Sequence, residues 1–197
     1  MIKTIYAVER AGEREGIKTW DKIGNKMLLW HGTKPENVVG VLQTGFRIAP
    51  SDASNTGSMF GEGVYFADIF NKSYNYTSGV SFNSFGSGTK VLKKPKKYLF
   101  LCEVALGNMK KLYMSENVTN LPTSSVHSVM GVGQVGPDPT GNIFMPNGSI
   151  LPMGKLVNTP QPKLQPGQWW QLQHNEYVVY DTTQIRVRYL FELRDTN

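Results

Sequence analysis

The sequence predicts an α+β fold: split, mainly antiparallel β-sheets with short helices between the strands. Three observations carry that prediction. β-rich runs are dispersed among short helical patterns instead of alternating with long ones, which disfavours a parallel sheet. Twenty glycines and eleven prolines punctuate the 197 residues, so turns are frequent. The chain closes on two adjoining β-rich runs, residues 175–181 and 184–193, joined at Thr182-Thr183. A chain of 197 residues supports one sizeable core, and residues 1–197 are expected to form a single domain.

Taken in order, residues 2–8 alternate loosely and read as an opening strand. Met27-Leu-Leu-Trp30 suits a buried strand, although so short a run does not separate strand from helix. Thr33-Lys-Pro-Glu36 then forms a capping-box pattern, with Thr33 as N-cap and Glu36 reaching back to it. Pro35 suits a first turn, where its missing N–H would be unpaired anyway. Val38, Val39, Val41 and Leu42 give a helix over 34–44 its apolar face, and Gly45 can take the left-handed terminating conformation. Met59-Phe-Gly-Glu-Gly-Val-Tyr-Phe-Ala67 reads as a glycine-punctuated turn entering a strand. Asp68 then caps a second short helix over about 69–77, on which Ser73 and Tyr76 share a face. Residues 78–97, rich in Ser, Gly and Lys, read as a loop, and 98–106 as a strand of strong β-propensity. From 119 to 168 the Pro, Gly and Ser punctuation leaves room only for short strands.

Composition narrows the function class. The chain is 40 % hydrophobic and 18 % charged, as globular proteins are and disordered ones are not. A net charge of +6 and a pI near 9.3 point to anionic partners, nucleic acid or phosphate-bearing ligands. Much of the excess sits in Lys90, Lys93, Lys94, Lys96 and Lys97, which serve either as a solvated charge run or as a nucleic-acid contact. Cys102 is the only cysteine, so an intrachain disulfide is impossible, and its apolar surroundings make it core filler. His31, His127 and His174 share no helical ligand spacing, so no metal site is expected. Neither a signal segment nor a membrane-length apolar run is visible. The expected location is intracellular, nuclear or cytoplasmic, away from membranes.

Three places carry candidate chemistry. His31-Gly32-Thr33 stands at the junction of the apolar run and the capped helix, where glycine admits close approach and a helix start offers free N–H groups. Tyr65, with Tyr76 and Ser73 beyond it, could sandwich a flat cationic ring and bind its polar substituent. Glu176 shares a strand face with Val178 and Tyr180, and a carboxylate there is costly unless paired or used. Singly, each has an ordinary reading too: a turn histidine, core aromatics, a solvated strand-end carboxylate.

Together they resemble a known family. Leu29-Trp-His-Gly-Thr33, Gly45-Phe-Arg-Ile-Ala-Pro50, Met59-Phe-Gly-Glu-Gly-Val-Tyr-Phe-Ala-Asp68, Lys72-Ser-Tyr-Asn-Tyr76, Cys102-Glu-Val-Ala-Leu-Gly-Asn108 and Asn175-Glu-Tyr-Val-Val-Tyr180 are similar to the catalytic domain of the poly(ADP-ribose) polymerases. They occur in the family's order over almost the whole chain, with most likeness to its DNA-dependent nuclear branch. The resemblance implies a diphtheria-toxin-like ADP-ribosyltransferase fold and NAD⁺ as co-substrate, with ADP-ribose passed to a protein or nucleic-acid acceptor and lengthened to polymer. His31, Tyr65 and Glu176 match the family's catalytic triad. His31 would bind the adenosine ribose, Gly32 the nicotinamide carboxamide through its backbone, and Ser73 the same amide. Tyr65 and Tyr76 would bracket the nicotinamide ring. Thr33, Asn37 and Arg47 match positions on the adenosine side, and Lys72 would orient Glu176.

The chain departs from the family at two points. His174 stands where close relatives often carry an aromatic, and Ser58 replaces a larger residue; both bear on acceptor handling. The regulatory helical domain of the nuclear members has no room in this chain, so the domain is expected to bind NAD⁺ without activation by DNA. A single-transfer enzyme of the same fold and an inactive NAD⁺ or ADP-ribose binding module are the alternatives.

Overall fold

The computed structural model describes residues 1–11, 13, 17–48, 58–77 and 96–194. In chain order these contain β1 (Ile2–Ala7), α1 (Ile17–Ile23), β2 (Lys26–Thr33), α2 (Pro35–Thr44), β3 (Val64–Phe66), α3 (Phe70–Tyr74) and β4 (Lys97–Ala105). There follow β5 (Met109–Leu112), β6 (Ser128–Gly131), β7 (Val135–Pro137), β8 (Ile143–Phe144), β9 (Ile150–Leu151), β10 (Leu156–Asn158), β11 (Glu176–Val179) and β12 (Ile185–Leu193). The α+β expectation is met. A six-stranded sheet runs β1-β12-β4-β2-β9-β8, a four-stranded sheet β3-β11-β6-β5, and β10 pairs with β7. Pairing is mainly antiparallel, with β2–β9 and β5–β6 parallel.

Strand β4 lies at the centre of the large sheet, and its pattern explains its length. Phe100, Cys102 and Val104 face a core shared with Phe66, Tyr177 and Val179 of the smaller sheet. Leu99 and Leu101 face the opposite side, where Trp30 and Phe70 pack on them. A strand covered on both faces is apolar at nearly every position, as this one is. The Cys102 side chain is fully buried in the main core, as filler.

Two helix starts depart from the sequence expectation. β2 continues through Thr33, which pairs with Tyr98, so Thr33 belongs to the sheet and is not an N-cap. Pro35 restrains the residue before it to extended backbone; Lys34 accordingly has φ −64° and ψ 146° and takes the N-cap position without a side-chain bond. The capping box with Glu36 is therefore not made; Thr33 Oγ1 instead accepts from Asn37 Nδ2 at 3.1 Å. Gly45 does end α2, but with φ 84° and ψ −177° its ψ is extended and not that of the expected left-handed helical conformation.

Asp68 does not cap the second helix either. That helix is shorter than expected: α3 stops at Tyr74 and a 3₁₀ turn covers Asn75–Thr77, so Ser73 and Tyr76 belong to different elements. Ile69 takes the N-cap position, because the buried Asp68 carboxylate is drawn to donors on the smaller sheet. Helix α1 and strand β5 were not foreseen. Trp20 anchors α1, donating Nε1–H to Gln184 O at 3.3 Å, with the Arg186 guanidinium 4.0 Å from its ring centre.

Candidate active site

Trp30 of β2 and Ala67, the residue after β3, form an isolated bridge through paired bonds of 2.8 and 2.9 Å. A cleft of about 890 Å³ is lined by residues of β2, α2, β3, the α3 segment and the start of β11. All ten sequence-derived site residues line it: His31, Gly32, Thr33, Asn37, Arg47, Tyr65, Lys72, Ser73, Tyr76 and Glu176.

Glu176 sits at the first position of β11, in register with Gly131. An ammonium has three N–H donors, and Lys72 gives its own to Glu176 Oε1 at 2.9 Å, His174 O at 2.9 Å and Asn175 O at 3.2 Å. Burial pushes the Lys72 pKa down, while the charges of Glu176 and Asp68 oppose that shift. Glu176 Oε2 is buried and, among the described residues, meets no hydrogen-bond donor. A buried carboxylate oxygen without a donor is costly, and this one stands at the wall of the cleft.

His31 is held by its own strand and by β3. A carbonyl only accepts, so the 2.8 Å contact to Tyr65 O fixes the proton on Nδ1. Burial lowers the His31 pKa from 6.5 to about 4, so the ring is neutral at pH 7 and Nε2 is an acceptor. Phe46 packs edge-on to the imidazole, with ring centres 4.7 Å apart.

The Tyr65 hydroxyl accepts from Phe60 N at 3.0 Å and donates to Gly61 O at 2.8 Å, which locks the ring to the turn before β3. Burial pushes its pKa up to about 12, so the phenol stays protonated at pH 7. Tyr76, half exposed, lines the same cleft. The Gly32 backbone lies against Ser73 and Tyr76. A Cβ there would fall 1.8 Å from Ser73 O, so only glycine fits. Ser73 Oγ donates to Trp30 O at 3.0 Å, which fastens α3 beside that backbone.

Residues 1–195 match the family model described as the poly(ADP-ribose) polymerase catalytic domain. Similar relatives include "Poly [ADP-ribose] polymerase 1" of Danio rerio, 38 % identical over 98 % of this chain, and "Poly [ADP-ribose] polymerase 2-A" of Oryza sativa subsp. japonica, 40 % identical over 96 %. "Poly [ADP-ribose] polymerase" of Drosophila melanogaster is 37 % identical over 98 % of this chain. The chain belongs to the poly(ADP-ribose) polymerase catalytic-domain family. It spans 17 %, 26 % and 18 % of those three relatives' lengths.

Within this polymerase-family domain, sequence reasoning assigned no site role to Phe46, Asp68 or Asn175. Phe46 was hidden as an ordinary core aromatic. Asn175 uses both ends of its amide: Nδ2 donates to Asp68 Oδ2 at 2.7 Å and Oδ1 accepts from Gly133 N at 2.8 Å. A polar residue directly beside the candidate carboxylate was the available signal. Lys90, Lys93 and Lys94 lie outside the described residues. Lys96 meets Glu192 at 3.2 Å, and Lys97 donates to the Tyr74 hydroxyl at 2.8 Å. Among the described residues no cluster of His, Cys, Asp and Glu could hold a metal ion, and no helix is long and apolar enough to cross a membrane.

Proposed function

We propose that the chain is an NAD⁺-dependent ADP-ribosyltransferase of diphtheria-toxin-like fold, which releases nicotinamide, passes ADP-ribose to a protein acceptor and lengthens it to poly(ADP-ribose). The observation that carries this reading is Glu176: Oε1 anchored by Lys72, Oε2 buried and, among the described residues, unpaired at the wall of a cleft that Tyr65 and Tyr76 also line. Breaking the nicotinamide–ribose bond sends its electron pair out with nicotinamide and leaves positive charge on the ribose. A fixed carboxylate accepting hydrogen bonds from the ribose hydroxyls stabilises that charge, and contacts of this kind supply several kcal/mol in glycoside cleavage. The acceptor oxygen then bonds to the ribose carbon and loses its proton, which Glu176 is positioned to draw off. The leaving group is already cationic, so no strong acid is required, consistent with the raised pKa of Tyr65.

The remaining residues have assignable tasks. Tyr65 and Tyr76 stack on the nicotinamide ring. The Gly32 backbone and the Ser73 hydroxyl bind its carboxamide. His31 Nε2, an acceptor in the neutral ring, takes a hydroxyl of the adenosine ribose, and Thr33, Asn37 and Arg47 line the adenosine side.

Labelled NAD⁺ tests the reading. The wild-type chain should release nicotinamide and form labelled product on protein. Glu176→Gln should nearly abolish chain growth while leaving NAD⁺ binding largely intact. Unchanged product length in that variant overturns the role given to Glu176.

A further inference from the structure

Asp68 is a buried carboxylate with no part in the scheme above. Its Oδ2 accepts from Asn175 Nδ2 at 2.7 Å and from the Tyr177 hydroxyl at 3.1 Å. Those donors are the residues on either side of Glu176. Side chains alternate along a strand, so Asn175 and Tyr177 point away from the face that Glu176 presents to the cleft. Asp68 therefore grips the start of β11 from behind. Lys72, four residues further on, grips the same stretch from the front, at Glu176 Oε1 and at the carbonyls of His174 and Asn175. Asn175 Oδ1 completes the brace by accepting from Gly133 N on the neighbouring loop.

The brace is costly, which argues for a use. Asp68 Oδ1 meets no donor among the described residues, and burial pushes the carboxyl pKa up against the bonds that lower it. An apolar side chain in such a place commonly stabilises a fold as well or better.

We propose that Asp68 is a positioning residue for Glu176: by holding both flanking residues it fixes where on the cleft wall Glu176 Oε2 stands. The proposal rests on the transferase reading above. A group displaced by about 1 Å can cost on the order of 100-fold in rate, so the effect belongs in turnover and not in binding.

The test compares wild type, Asp68→Ala, Asp68→Asn and Tyr177→Phe, by nicotinamide release from NAD⁺ and by crystal structure. Asp68→Ala should lower kcat by about 10- to 100-fold with KM for NAD⁺ unchanged. Asp68→Asn should recover most of that loss, because one amide oxygen can accept both bonds that Oδ2 accepts now. Tyr177→Phe should fall between them. A normal kcat in Asp68→Ala, a loss confined to KM, or an Asp68→Asn as slow as the alanine variant overturns the proposal. Should Asp68→Ala not fold, Tyr177→Phe decides, and full turnover there overturns it. If wild type releases no nicotinamide, the transferase reading fails; the crystal structures then decide alone. Glu176 keeping both its orientation and its 2.9 Å contact with Lys72 after loss of Asp68 overturns positioning.

Discussion

Lys72 Nζ lies 2.9 Å from Glu176 Oε1 and also donates to the two carbonyls that precede it, so one ammonium fixes a carboxylate and its own stretch of backbone. Both side chains are nearly buried, with relative exposures of 13 % and 10 %. Removing one partner of such a pair strands the other. Lys72→Met should therefore destabilise the fold by about 3 kcal/mol or more, and nicotinamide release should fall at the same time. Chemical denaturation together with steady-state rates checks this. A variant as stable and active as wild type would show that the pair does not anchor Glu176.

Gly32 has no room for a methyl group, since a Cβ would stand 1.8 Å from the Ser73 carbonyl oxygen and 3.2 Å from Tyr76 Cβ. Gly32→Ala should push α3 away from β2, breaking the Ser73–Trp30 bond. Overpacking of this kind costs about 1–3 kcal/mol. The expected signature is a large rise in KM for NAD⁺, or loss of binding by calorimetry, with a fall in Tm of about 2–12 °C.

His31 makes stability depend on acidity. Burial holds its folded pKa at about 4, against an ordinary 6.5 in the unfolded chain. Between those values the unfolded state binds the extra proton, so stability rises with pH across that window and is lost as pH falls through it. The loss approaches about 3 kcal/mol near pH 4. His31→Asn should flatten this part of the stability–pH curve measured by denaturant titration. An unchanged slope between pH 4 and 6.5 would show that the imidazole titrates normally.

Cys102 is fully buried, and burial raises its thiol pKa well above the ordinary 9.0. Thiolate is the reactive form, so the native protein should resist alkylation at neutral pH and react only on unfolding. Mass spectrometry after iodoacetamide, with and without denaturant, reads this directly. Rapid labelling of the native chain would contradict the packing of β4.

The sequence by itself determined the fold class, the main strands and helix α2, the end of that helix at Gly45, and ten of the residues that line the cleft. Local rules sufficed there. Alternation marks strands, glycine marks a helix end, and ordered motifs mark a family. What the sequence misjudged were decisions between local and distant partners. Thr33 looked like a cap, yet pairing with Tyr98 across the sheet held it in β2. Asp68 looked like a cap as well, but two donors more than a hundred residues further along the chain compete for its carboxylate. The neutral state of His31, the burial of Glu176 and the grip of Asp68 on the residues beside it exist only once β2, β3 and β11 converge. Burial and hydrogen-bond partners set those properties, and both are created by tertiary packing.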